Sequence, residues 1–180
     1  QNPNAVMVSL HADHCIDHTQ HFQKTLKKAI SLAEKGYLTL LGAKPTYPET
    51  GYGYIECGQK LDPNDLSYKV AAFKEKPQKE LAQQYLEQGG YLWNTGIFVW
   101  KVESILTEMK AYIPKTLNAL YKQYEQLKEQ GLSFTQIEST HLEKVYETLE
   151  SISIDEGVLE KSQNTATIAC DFDWQDVGSW

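Results

Sequence analysis

Cysteine is scarce in this 180-residue chain: Cys15, Cys57 and Cys170 are odd in number, far apart and form no CxxC pair. That excludes a disulfide framework or a zinc ribbon and fits a reducing, cytoplasmic setting. No apolar run reaches about eighteen residues, and no basic-plus-apolar leader opens the chain, so neither membrane insertion nor secretion is expected. Positive charge is in deficit, with 17 Lys and Arg against 24 Asp and Glu, a net charge of -7. A nucleic-acid partner, which needs a basic stripe, is therefore not expected, although a few local lysines can still hold a small anion. The chain starts at Gln1 without a methionine and stops at WQDVGSW without a tapering tail. Both ends are expected to be cuts inside a longer protein.

What is present is enough for one core: 41% of the residues are hydrophobic and 23% charged, the balance of a single globular domain. The run AVMVSL (5–10) reads as a buried strand that delivers HADH at its end. Phe22, Leu26, Ile30 and Ala33 recur at helical spacing up to Gly36, and YLTLLGAKP then reads as the next strand. Strand, helix, strand is the signature of an α/β layer fold. YGYIEC, KVAAFKEKP and YLWNTGIFVW read as further strands, with a short helix in PQKELAQQYLEQGG. From Val102 to Glu150 the pattern turns helical in three segments, carrying Ile105, Leu106 and Met109, then Leu117, Leu120, Tyr124 and Leu127, then Ile137, Leu142 and Val145. TATIACDF returns to strand, and polar DWQDVGSW follows it, compatible on its own with a plain turn.

Five constellations carry chemistry. HADHCIDHTQH gathers His11, Asp13, His14, Asp17, His18 and His21, and such spacings can ligate zinc. SLHADH resembles the HxHxDH signature of the metallo-β-lactamase family, but Ser9 stands in the first histidine position and only His141 remains as a distant ligand. Asp13 has a second reading, because a carboxylate just past a strand end lies where open α/β sheets place ligands and Mg²⁺. In FKEKP (73–77), Glu75 can accept sugar hydroxyls and Lys76 can meet a phosphate, yet a solvated strand end looks the same. WNTG offers Trp93 as a wall and Asn94 as an amide that donates and accepts. GAKPTYPETGYGYIE (42–56) is too rich in glycine, proline and tyrosine for a plain strand, and Asp176 follows the last expected strand.

Taken in order, LHADH, KPTYPETGYGYIE, FKEKP, WNTGIFVW, SIDEGVLEK and WQDVGSW resemble the sugar nucleotidyltransferase family, in its guanylyltransferase branch, from about Ala5 to Trp180. The resemblance implies a three-layer, Rossmann-like nucleotide-diphospho-sugar transferase fold with a mixed sheet, incomplete at its N-terminus. It implies transfer of GMP from GTP to mannose 1-phosphate, with Mg²⁺ as cofactor and self-association left open. It implies Gly53, Glu75, Lys76, Asn94 and Asp176 on the sugar side, Asp13 and His14 on the nucleotide side, and Asp13 with Asp176 on the metal. Asp13, Asp176 and Lys76 are then the catalytic set, and Lys161 of SIDEGVLEK is an additional cation near the phosphates or a structural ion pair. The family's GGxGxRLWP loop occurs nowhere in the 180 residues, so the chain is expected to be a partial catalytic domain, inactive alone. A catalytically silent regulatory relative and a zinc hydrolase built on HADH are the alternatives.

Overall fold

The structure is a computed structural model that describes residues 2–132 and 139–178. Strand β1 (Val6–Ser9) leads through the HADH turn to β2 (His14–Ile16) and helix α1 (Thr19–Glu34). β3 (Leu38–Ala43), β4 (Tyr54–Lys60) and β5 (Ser67–Lys74) follow, then α2 (Lys79–Gln88) and β6 (Tyr91–Lys101). Helices α3 (Val102–Tyr112), α4 (Pro114–Glu129) and α5 (Ser139–Tyr146) precede a π-helical turn at Asp155–Leu159, and β7 (Thr165–Ala169) and β8 (Trp174–Asp176) close the chain.

Six strands form one mixed sheet in the order β1-β6-β3-β7-β5-β4, and β4 also pairs with β6. Among the described residues only β3 and β7 run parallel. Because β4 returns to β6, the sheet curls round on itself and leaves β1 as its free edge among the described residues. Every residue of β3 is buried, as a strand covered on both faces requires. On one face Ala29, Leu32 and Ala33 of α1 pack against Leu41, Ile97, Val99, Ala166 and Ile168. On the other, Ile105 of α3 joins Leu38, Leu40, Phe98 and Trp100, together with Val158 and Leu159 of the π turn. Helices on both faces make the three layers expected.

Several local expectations are corrected. β1 is an edge strand rather than a buried one, with Met7 42% exposed and Leu10 just after it 53%, because among the described residues β6 is its one neighbour. DWQDVGSW is not a plain turn: Trp174–Asp176 pairs antiparallel with His14–Ile16 as a separate two-stranded ribbon. Tyr124, placed on the apolar side of α4, is 41% exposed, whereas Leu117 and Leu127 are buried. Ile137 lies outside the described residues, as does the side chain of His141.

Candidate active site

The cleft opens where β6 is distorted. Register between β3 and β6 shifts between Leu40 and Gly42, and on the β6 side Gly96 adopts φ +70°, a conformation glycine takes at little cost. The irregularity is tied down by Thr95 Oγ1, which donates to the Leu41 carbonyl at 2.7 Å, and by Gly96 N–H, which donates to Asn94 Oδ1 at 3.1 Å. Asn94 stays in register opposite Gly42, and it borders a space of about 200 Å³. Gly53, Glu75, Lys76, Asn94, Asp176 and His14 all border that space, so six sequence-expected residues meet in one cleft.

The long loop before β4 forms one wall. Glu49 Oε1 accepts the N–H groups of Thr50 and Gly51 at 2.8 and 2.7 Å, and Tyr54 Oη donates to the Glu49 carbonyl at 2.9 Å. Tyr52, so held, packs edge-on against Trp93 and Trp174, with ring centroids 5.5 and 5.3 Å away. Gly53 is required for a reason the sequence did not show. A Cβ there would lie 2.7 Å from Glu75 Oε2, 3.0 Å from Phe73 Cζ and 3.2 Å from Asn94 Cβ. The missing side chain makes room first for the Glu75 carboxylate.

Glu75 sits with 16% of its side chain exposed, its Oε1 3.5 Å from Lys76 Nζ. Its Oε2 is buried and has no hydrogen-bond partner among the described residues. Burial, followed by the charge of Asp155, pushes its carboxyl above the usual glutamate range, against the pull of Lys76. Lys76 itself takes φ +41°, uncommon for a non-glycine residue and the kind of strain that concentrates at functional sites.

Asp155 is the site residue that sequence reasoning missed. It borders the cleft from the π turn and accepts Asn94 Nδ2–H at 2.9 Å. Burial raises its carboxyl above the usual range, opposed by its own backbone and by Asn94. The signal was available in SIDEGVLEK, where an acid interrupts an apolar run just before a glycine. Lys161, chosen from that motif instead, is exposed and does not border the cleft.

Asp13 and Asp176 approach each other at the ribbon. A Cβ on Gly178 would lie 2.7 Å from Asp13 Oδ2 and 3.0 Å from Asp176 Oδ1, which puts the two oxygens within about 6 Å of each other, a span one hydrated Mg²⁺ can bridge. The backbone reinforces this, with Val177 N–H donating to the Asp13 carbonyl at 3.2 Å. Asp176 stands on β8 and Asp13 in the turn just before β2, rather than on neighbouring strands of the main sheet. Donor atoms of His11, Asp13 and His14 also lie within 4.8 Å of one another. Yet Trp174 Nε1–H donates to His14 Nδ1 at 3.2 Å, so the neutral ring carries its proton on Nε2 and neither nitrogen presents a free lone pair. Burial and His11 lower the His14 pKa against Asp176 and Asp13, which favours that neutral ring. The oxygen pair suits a hard divalent cation better than the histidines suit zinc.

These features define an α/β domain with a carboxylate-lined cleft where β6 meets the end of β5. Residues 1–180 match the nucleotidyl transferase family, and the chain belongs to it. It is 35% identical over 182 residues to a mannose-1-phosphate guanylyltransferase of Escherichia coli, covering 99% of this chain and 38% of that protein. It is 38% identical over 184 residues to one from Salmonella montevideo, covering 98% of this chain and 37% of the other. Among solved structures it resembles a Thermus thermophilus protein described as mannose-1-phosphate geranyltransferase, with TM-score 0.78 and 32% identity over 97% of this chain and 47% of the other. A Helicobacter pylori protein described as mannose-6-phosphate isomerase gives TM-score 0.81 and 27% identity over 98% of this chain and 66% of the other. The chain spans little more than a third of the length of the curated relatives it matches.

Proposed function

We propose that this chain forms the sugar-phosphate and metal side of an enzyme that transfers GMP from GTP to mannose 1-phosphate, giving GDP-mannose and pyrophosphate. The observation that carries the reading is Glu75 Oε2, a buried carboxylate oxygen without a hydrogen-bond partner among the described residues, beside Asn94 and Lys76 in the cleft. Leaving such an atom unpaired costs roughly 1–3 kcal/mol. A ligand bringing hydroxyls to Glu75 and an anion to Lys76 recovers that cost, and a hexose phosphate brings both.

In the reaction a phosphate oxygen of mannose 1-phosphate attacks the α-phosphorus of GTP, and the bond to the β-phosphate bridging oxygen breaks. The attacking oxygen is already anionic, so catalysis consists of positioning and charge neutralisation. Glu75 and Asn94 hold the sugar hydroxyls, Lys76 meets the sugar phosphate, and His14 offers Nε2–H toward the nucleotide side. Asp13 and Asp176 would hold Mg²⁺, which when bound supplies positive charge between the two phosphate groups. The triphosphate cradle expected of a glycine-rich loop has no counterpart in these 180 residues.

Calorimetric titration of the chain with mannose 1-phosphate tests the reading. Binding is expected, weakened by roughly 1.5–3 kcal/mol in Glu75→Ala, the range for a hydrogen bond to a charged group. Pyrophosphate release with GTP is expected only from a longer chain that includes a GGxGxR loop, and there Asp176→Ala lowers turnover. Failure of mannose 1-phosphate to bind, or robust pyrophosphate release by the 180 residues alone, overturns the proposal.

A further inference from the structure

The two ligand-facing groups on the sugar side are Asn94 on β6 and Glu75 just past the end of β5, and one short element touches both. The π turn at Asp155–Leu159 closes with Glu160 N–H donating to the Asp155 carbonyl at 2.9 Å. Closure over five residues stacks Asp155 and Glu160 one above the other, whereas α spacing sends residues five apart to different faces. From this stack Asp155 Oδ1 accepts Asn94 Nδ2–H at 2.9 Å, reaching β6. Glu160 Oε1 accepts both the Glu75 backbone N–H and Lys74 Nζ–H at 3.0 Å, reaching the end of β5. Burial raises the Glu160 carboxyl, but the Glu75 N–H and Lys74 outweigh it and hold the group below the usual range, as a carboxylate with fixed donors should be. The turn is anchored by Val158 and Leu159, both essentially inaccessible in the core.

We infer that Asp155 and Glu160 are positioning residues that fix the separation and aim of Asn94 and Glu75, so that the π turn sets which hydroxyl pattern the cleft accepts. Asn94 Oδ1 already receives Gly96 N–H, so the bond to Asp155 fixes the amide's orientation and leaves one Nδ2–H for a ligand. Glu160 similarly fixes the backbone from which Glu75 projects. The inference rests on the sugar-phosphate reading given above and extends it to what determines sugar selectivity.

The test uses the 180-residue chain labelled with ¹⁵N. In Asp155→Ala and Glu160→Ala, the Asn94 side-chain amide and the Glu75 backbone amide respectively shift and exchange faster. Asp155→Asn and Glu160→Gln, which keep an accepting oxygen, restore both signals. Mannose 1-phosphate affinity falls about tenfold in the Ala variants, the equivalent of one lost hydrogen bond to a charged group. Inorganic phosphate, which needs only Lys76, binds the variants and the unaltered chain alike, and preference for mannose 1-phosphate over glucose 1-phosphate narrows. A merely structural role would lower both affinities together without changing the preference. Unmoved amide signals, or Ala variants with full affinity and selectivity, overturn the inference alone. Absence of mannose 1-phosphate binding by the unaltered chain overturns the sugar-phosphate reading, and the amide signals then still decide whether the turn orders the two strands.

Discussion

Replacing Gly53 by alanine adds one methyl group where the structure has no place for it. The new carbon would lie 2.7 Å from Glu75 Oε2, 3.0 Å from Phe73 Cζ and 3.2 Å from Asn94 Cβ. The Phe73 ring is 6% exposed and belongs to the core, and Asn94 is held by Asp155 and Gly96, so the Glu75 carboxylate is the group that yields. Overpacking of this kind costs about 1–3 kcal/mol. With roughly 2–4 °C of melting temperature per kcal/mol for a chain of this size, the drop is about 2–12 °C. Gly53 has no positive φ, so backbone strain adds nothing. Gly51→Ala is the control, because its Cβ would meet only the Glu49 carboxylate, at 3.1 Å and beyond, and is expected to stay within about 0.5 kcal/mol. The assay is thermal unfolding of Gly53→Ala, Glu75→Ala and the double variant. If the carboxylate is what the methyl displaces, the two losses are not additive, with a coupling of about 0.5–3 kcal/mol. Additive losses, or a Gly53→Ala chain as stable as the parent, would refute the reasoning.

Glu75→Gln should stabilise the chain at pH 7, because it removes a buried charge facing Asp155. The folded-state pKa of Glu75 is raised, so its stability contribution is complete below the ordinary glutamate pKa and is lost as pH rises through the higher folded value. The advantage of Gln should therefore vanish on acidification below the ordinary range; equal melting temperatures at neutral pH would contradict it. Gly96→Ala should cost at least about 1–2 kcal/mol from φ +70° alone, and more because the methyl would lie 2.5 Å from His11 Nε2, as urea unfolding would report. A disulfide-exchange thiol reagent at pH 8 should label exposed Cys15 first, since burial pushes Cys57 to about 11 and Cys170 to about 12. Equal rates for all three thiols would show that the core opens readily.

Much of the layer order was legible because its elements carry strong periodicity. Of the stripe that helical spacing assigns to α1, Ala33 is buried and Phe22, Leu26 and Ile30 are partly buried against the same core, although the deepest positions, Thr25, Ala29 and Leu32, lie beside that stripe; β3 is buried along its whole length. Glu75, Lys76 and Asn94 were readable because they sit in short polar interruptions of apolar strands, and β6 and the end of β5 bring them together. The ribbon was not readable: HCI and WQD are too short for periodicity, and their pairing joins segments about 160 residues apart. The π turn was hidden for a related reason, since i→i+5 closure leaves no spacing that differs clearly from α over five residues. Asp155 is invisible as a partner of Asn94 until that turn is in place.

The ribbon gives the cleft two kinds of support. Asn94 stands on β6, which pairs with β1, β3 and β4, and its own amide is held by the Gly53 carbonyl at 2.7 Å. Asp176 and the adjoining Asp13 depend on two three-residue strands that, among the described residues, pair only with each other. A two-strand pair of that length is marginal and opens at low free energy. In deuterated buffer the amides of Cys15 and Gln175 should therefore exchange long before those of Leu40, Val99 and Ile168. On warming, the approach of Asp13 to Asp176 should be lost while the cleft between Glu75 and Asn94 is still intact.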